Sequence, residues 1–153
     1  MRKLLAVLGI GLLITSCSTS KSENQPPSKN MNYQEVNRYF VKNTFPDQPK
    51  TLVLSSQKAF DDVFGPAPVM GKNGIPTPID FSKNFVIAII EKTSSQNKTI
   101  EIESINSVDN HLEVKYFVKT GADQGYQTRV SKIIMLNKKN LQPTVFKSLT
   151  NNR

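Results

Sequence analysis

The segment Phe85-Val86-Ile87-Ala88-Ile89-Ile90 constrains the fold of this chain more than any other feature. It is a continuous apolar run of strand length and rich in β-branched residues, a pattern that is typical of a strand buried on both faces of a sheet. We therefore expect a central strand here, and we expect it to form the centre of the hydrophobic core.

Two segments after this run alternate between apolar and polar residues. Thr99 to Ile105 directs Ile100 and Ile102 to one face, and Leu112 to Val118 alternates in the same way. Asp109-Asn110 lies between them and is a turn signal. The two segments are therefore predicted to form a hairpin.

The other signals are shorter. Further strands are predicted near Arg38 to Lys42, at Leu52 to Leu54, within Gln127 to Leu136 and at Thr144 to Phe146. One helix is predicted over Gln57 to Phe64, with Ser55-Ser56 as its cap and Gly65-Pro66 as its stop. Strands joined by short polar turns favour antiparallel order, so the expected fold is mainly β: an antiparallel sandwich or open barrel with one short helix at an end.

The first residues of the chain have the layout of an export signal. Arg2 and Lys3 precede an apolar run from Leu4 to Ile14 of about 11 residues, and Ile14-Thr15-Ser16-Cys17 follows. The run is too short for a membrane span, which needs about 20 residues. The cysteine site resembles the lipobox of bacterial lipoproteins, and this resemblance implies cleavage before Cys17 and lipid attachment to it.

This interpretation divides the chain into three parts. Residues 1–16 are the predicted lipoprotein signal peptide, and residues 17–31 are the lipidated Cys17 with a flexible tether that is poor in apolar side chains. Residues 32–153, roughly 120 residues, are expected to form a single β-rich domain. The expected location is the cell envelope, with the domain anchored to a bacterial membrane through lipid and facing the periplasm or the cell surface.

The net charge and the cysteine content bear on which partners the chain binds and on whether it forms a disulfide. The formal charge of +8 becomes about +6 when Arg2 and Lys3 leave with the signal. The lysines are scattered without interleaved aromatic residues, so we do not expect nucleic acid binding. Cys17 is the only cysteine, which leaves no disulfide within the mature chain. The oligomeric state and the choice between inner and outer membrane stay open.

From Ile79 onward the order of elements is similar to that of the PrcB C-terminal domain family of bacterial envelope proteins. The pieces that carry the resemblance are Asp80-Phe81, the apolar strand, the hairpin, and a Gly-containing segment that leads into a strand over Gly121 to Leu136. The resemblance implies a non-catalytic accessory role beside a protease complex. This chain has Lys92 to Asn97 where the family often carries a Gly-Gly-Tyr segment.

No residue set predicts a catalytic centre, a cofactor or a metal site. His111 is the sole histidine and stands beside the predicted turn, without a serine nucleophile motif. One histidine and no free cysteine cannot supply a zinc site. Possible acid-base carboxylates are Asp61, Asp62, Asp80, Glu101 and Glu103. A hydrolase would require these carboxylates to converge in one cleft.

Two Gly-containing loops are the candidate binding segments. One is the proline-rich loop with Lys72 and Asn73, where proline lowers the ordering cost of binding. The other is a polar loop that presents exposed aromatic and adaptable polar side chains. Its candidate residues are Gly121, Asp123, Gly125 and Tyr126.

The sequence therefore favours a membrane-anchored lipoprotein whose small non-catalytic domain engages another envelope protein. The alternatives are an envelope hydrolase that uses surface carboxylates and a purely structural surface lipoprotein.

Overall fold

The structure is a computed structural model, and it describes residues 30–71 and 74–150. The described residues form nine strands, one α-helix and a short 3-10 helix. In chain order these are β1 (Gln34–Glu35), β2 (Tyr39–Val41), β3 (Lys50–Leu54), α1 (Gln57–Val63), β4 (Phe64–Pro66), β5 (Asn84–Ile90), β6 (Ser94–Val108), β7 (His111–Thr128), β8 (Ser131–Asn137), the 3-10 turn Lys138–Asn140 and β9 (Thr144–Leu149). The prediction of a mainly β fold with one short helix is confirmed.

Strand β5 is the central strand, as the apolar run predicts. It lies between β3 and β8 in an antiparallel sheet with the order β1-β8-β5-β3. All of its residues from Phe85 to Ile90 are buried. Because side chains alternate across a strand, the run supplies both faces of the sheet. One face carries Val86, Ala88 and Ile90. The other carries Phe85, Ile87 and Ile89.

The first face of this sheet is covered by α1 and by the two-stranded ribbon of β2 and β4. Phe60 and Val63 are the buried residues of the helix, and Tyr39 packs edge-on against the Phe60 ring at 4.9 Å. The Ser56 side chain caps the helix by accepting from the Ala59 N–H, as predicted. The helix lies over the face of the sheet, not at the end of a sandwich as expected, because its buried residues pack against β5.

The second face is covered by the sheet β6-β7-β9. Strands β6 and β7 form the predicted hairpin, and Asp109 and Asn110 make its turn with positive φ values of 45° and 63°. Strand β9 pairs with β7 in parallel, which the expected antiparallel order did not include. The two packed sheets give a sandwich-like arrangement, so the structure favours this alternative over the open barrel.

The predicted polar loop at Gly121 to Gly125 is instead part of strand β7. It pairs with the start of β6 through bulges, since Ser94 pairs with Thr128 but Gln96 pairs with Asp123. A step of two residues along β6 thus corresponds to five along β7. Gly125 takes a φ of 74°, which suits an irregular strand of this kind.

Asn30 and Met31, which the prediction assigned to the tether, are hydrogen-bonded to β6. The Met31 N–H donates to the Ile105 carbonyl at 2.8 Å, and the Asn30 side chain accepts from the Ile105 N–H at 2.9 Å. Four residues later the chain forms β1 and pairs with β8. Residues 30–35 therefore connect the edge of one sheet to the edge of the other.

Candidate functional site

The proline-rich loop runs from β4 to β5 and carries the predicted binding residues Lys72 and Asn73, which lie outside the described residues. The loop closes on either side of them. The Val69 N–H donates to the Gly74 carbonyl at 2.9 Å, and the Gly74 N–H donates to the Gly71 carbonyl at 3.0 Å. A Cβ on Gly74 would lie 1.6 Å from the Val69 carbonyl oxygen, so this turn requires glycine there.

The base of the loop is fixed to the segment that follows β1. The Asn37 N–H donates to the Thr77 hydroxyl at 3.0 Å, and the Thr77 N–H donates back to the Asn37 carbonyl at 3.1 Å. The Tyr39 hydroxyl donates to the Thr77 carbonyl at 3.0 Å. Three hydrogen bonds at one residue hold the loop beside the edge strand of the central sheet.

Between the loop and β1 lies a cleft of about 780 Å³, which we call the edge cleft. Its lining residues come from two short stretches of chain. They are Gln34, Asn37 and Arg38 on one wall and Ile75, Pro76, Thr77 and Pro78 on the other. One wall is polar with a single cation, and the other is largely apolar. This mixture suits a ligand that has both apolar groups and a few polar ones.

Arg38 is the charged residue of the edge cleft. Its backbone has a φ of 68°, a left-handed conformation that non-glycine residues adopt rarely. The Ala67 N–H donates to its carbonyl at 2.8 Å. Among the described residues no carboxylate forms a salt bridge with Arg38, whereas its neighbour Glu35 is paired with Lys132. The Arg38 guanidinium is therefore an uncompensated positive charge at the mouth of a cleft.

Three large apolar side chains are exposed on the proline-rich loop. Met70 is fully exposed, Ile75 is 80% exposed and Val69 is 50% exposed. Large apolar residues that stand together in solvent mark interaction surfaces more often than isolated ones do. The loop thus presents an apolar rim of three residues, and one of them, Ile75, lines the edge cleft together with Arg38.

The second predicted binding segment lies on the bulged part of β7. Asp123 accepts from the Ser95 hydroxyl at 2.6 Å and from the Gly125 N–H at 2.8 Å, and these two hydrogen bonds lower the pKa of its carboxyl. Tyr126 is 62% exposed, and Gly121 is exposed as well. Within residues 30–71 and 74–150, no salt bridge joins this segment to the proline-rich loop. Of the predicted site residues, Gly121, Asp123, Gly125 and Tyr126 lie on β7, and Lys72 and Asn73 lie outside the described residues.

The candidate acid-base carboxylates each have a local partner or stand alone in solvent. Asp61 accepts from the Gln57 side chain, and Glu101 is paired with Lys119 at 2.6 Å. Hydrogen bonds from Ser82 lower the pKa of the Asp80 carboxyl. Neither Asp61, Asp80, Glu101 nor Glu103 lines the edge cleft. The edge cleft therefore does not bring together the carboxylates that the hydrolase alternative requires.

A smaller cleft of about 160 Å³ lies at the end of β5, where Glu91 and Tyr116 are among its lining residues. Glu91 and Lys98 form a salt bridge of 2.7 Å there, and both side chains are largely buried. The pair ties the end of β5 to β6. The Glu91 carboxylate is therefore already paired within the domain.

His111 is the first residue of β7 and pairs with Val108 beside the hairpin turn. It is half-buried. In the described part of the chain, no three His, Cys, Asp or Glu side chains lie close enough together to hold a metal ion.

Comparison with known proteins gives no neighbour. No protein family, no curated protein and no solved structure matches the chain. None of the helices among the described residues has the length and apolar character that crossing a membrane requires. Cys17 and the predicted signal peptide lie outside the described residues.

Proposed function

We propose that this domain is a non-catalytic binding module that engages another protein of the bacterial cell envelope while a lipid on Cys17 anchors it to a membrane. The observation that carries the proposal is the apolar rim of Val69, Met70 and Ile75 on the proline-rich loop, of which Ile75 lines the edge cleft. Loops that carry recognition are typically held on a rigid scaffold, and this loop is fixed through Thr77.

The scaffold supports this role physically. Strand β1 pairs with the central sheet, and the residues on either side of it, Tyr33 and Val36, pack into the two cores, so the fold holds this wall of the cleft in place. A preformed surface loses little conformational entropy when a partner binds. The loop and β1 therefore make a surface that can bind without refolding.

The resemblance to the PrcB C-terminal domain family extends the proposal to one kind of partner. An accessory role beside an envelope protease complex agrees with a domain that presents exposed apolar side chains on a loop. The apolar rim supplies the contact that such a role needs.

Photo-crosslinking in cells tests the proposal. A photoreactive phenylalanine derivative replaces Ile75 in the full chain, and a matched variant carries it at Val145, an exposed apolar position on β9 of the other sheet. We expect a discrete adduct with one envelope protein from position 75 and none from position 145. The same adducts from both positions, or none from position 75, would contradict the proposal.

A further inference from the structure

We propose that the edge cleft binds an extended peptide segment of the partner, with Arg38 as the contact to a carboxylate of that segment. This inference deepens the proposed function and rests on it. It follows from the direction of the backbone groups of β1, from the way Thr77 occupies part of the same edge, and from the charges along the cleft.

The backbone of β1 is open on the cleft side. The Val36 N–H donates to the Ile133 carbonyl of β8 at 2.9 Å. Because backbone groups of successive residues point to opposite sides of a strand, those of Glu35 point away from β8. The groups of Asn37 do so too, and Thr77 binds them. The N–H and C=O of Glu35 therefore face the side on which an added strand would lie.

Thr77 already occupies part of the open edge of β1. It pairs with Asn37, and in the described part of the chain no backbone hydrogen bond joins Ile75 or Ile79, the next residues that point the same way, to Glu35. The loop then diverges and leaves the edge cleft. A peptide in the cleft can continue the strand edge at the next outward position, which is the mode called β-augmentation.

The positive charge of Arg38 favours a peptide that carries a carboxylate. Arg38 is exposed, and the other lining residues of the edge cleft are uncharged. Its guanidinium presents a planar set of donors that matches a carboxylate, and charge-assisted bonds of this kind are about twice as strong as neutral ones. Ile75 and the prolines on the opposite wall provide apolar contact for neighbouring side chains of the peptide.

The test is a titration of the isotope-labelled full chain in detergent, followed by NMR. The probes are the blocked peptide acetyl-Thr-Val-Glu-Val-Thr-amide and the same peptide with glutamine in place of glutamate, both up to millimolar concentration. We expect the acidic peptide to bind about tenfold more tightly than the neutral one, which corresponds to about 1.4 kcal/mol. Shifts should concentrate on the backbone amides of Glu35, Asn37 and Thr77.

Two variants test whether Arg38 causes the preference for the acidic peptide. In Arg38→Gln the two peptides should bind equally, whereas Lys139→Gln, which removes an exposed charge outside the cleft, should keep the tenfold difference. The proposal is overturned if the acidic peptide binds wild type no better than the neutral one. It is also overturned if the preference survives in Arg38→Gln, or if neither peptide shifts the β1 amides.

The crosslinking experiment separates this inference from the proposed function. If the adduct at position 75 persists at full yield in Arg38→Gln, the proposed binding function stands. The proposal that Arg38 contacts a carboxylate of the partner is then overturned. Loss of the adduct in Arg38→Gln, with retention in Lys139→Gln, would support both.

Discussion

Ile89 and Ile90 are consecutive residues of β5, yet their side chains lie in different hydrophobic cores. Ile89 packs against the sheet β6-β7-β9, and Ile90 packs in the core that contains α1. Both are at most 2% exposed. One strand thus supplies the centre of both cores, and this makes the two layers depend on each other.

Truncation of either isoleucine should destabilise the whole domain. Ile89→Ala and Ile90→Ala are each expected to lower the free energy of unfolding by about 2–5 kcal/mol, because each leaves a cavity in a close-packed core. Urea unfolding followed by circular dichroism measures the change. Ile75→Ala, at an exposed loop position, is the control and should stay within about 0.5 kcal/mol. A two-step unfolding curve in either core variant would contradict the mutual dependence of the layers.

Arg129 should hold the segment between β2 and β3. Its guanidinium donates to the Phe45 carbonyl at 3.0 Å and to the Glu91 carbonyl at 3.3 Å, and it lies 5.6 Å from the centre of the Phe45 ring. Arg129→Ala leaves partly buried carbonyl groups without donors, so we expect a loss of about 1 kcal/mol in the free energy of unfolding. Hydrogen exchange should accelerate over residues 43–49.

Arg129→Lys separates the effect of the charge from that of the hydrogen bonds. It keeps the charge near Asp47 but lacks the planar donor set, so exchange over the same residues should accelerate nearly as much. Wild-type protection in Arg129→Lys would mean that charge, not the hydrogen bonds to the carbonyls, fixes the segment.

Acid should destabilise the domain through Glu113. This carboxylate is buried on β7 between Lys147 and Lys115, and their hydrogen bonds hold its pKa below the usual 4.5. A carboxyl with a lower pKa in the folded state than in the unfolded state stabilises the fold above the unfolded pKa. This stabilisation is present above pH 4.5 and is lost as the pH falls below it.

Urea unfolding between about pH 3 and 7 measures this dependence. Glu113→Gln should lower stability at neutral pH and show a shallower decline in acid than the parent. Lys139→Gln, which changes a surface charge without contacting Glu113, should decline as the parent does. An equally steep decline in Glu113→Gln would assign the acid sensitivity to other groups.

Lipid attachment should depend on Cys17 alone. Cells grown with a labelled fatty acid should incorporate label into the parent, and Cys17→Ala should lose it, because the chain has no other thiol. The variant should also leave the membrane fraction, since the apolar run is too short to span a bilayer. Undiminished label in Cys17→Ala would refute the lipobox interpretation.

The sequence predicted the elements whose patterns are local and strongly apolar. The run at β5, the hairpin turn at Asp109-Asn110 and the capped helix all appear in the structure as predicted, because periodicity and turn chemistry determine them. The segment Gly121 to Gly125 reads as a loop by composition, yet pairing with β6 makes it a strand. Tertiary pairing here outweighs local preference.

The sequence predicted only one of the two walls of the edge cleft. The proline-rich loop was identified as a candidate binding segment, but Arg38 was not, because arginine carries no local signal for the left-handed conformation that it adopts. The alternation of proline around Thr77 was the available hint, since such a pattern is expected at a sheet edge. Which edge it would meet depends on contacts about 40 residues apart, as in the hydrogen bond from Asn37 to Thr77.

The hydrogen bonds of Asn30 and Met31 to Ile105 also determine how the domain responds to a pulling force. Tension applied at residue 30 reaches these hydrogen bonds first and then the short pairing of β1 with β8. Both would open by peeling, one bond at a time, and this would withdraw Met31 and Tyr33 from the second core. Because Gln34 of β1 forms a wall of the edge cleft, pulling on the amino end would dismantle the cleft while leaving the sandwich intact.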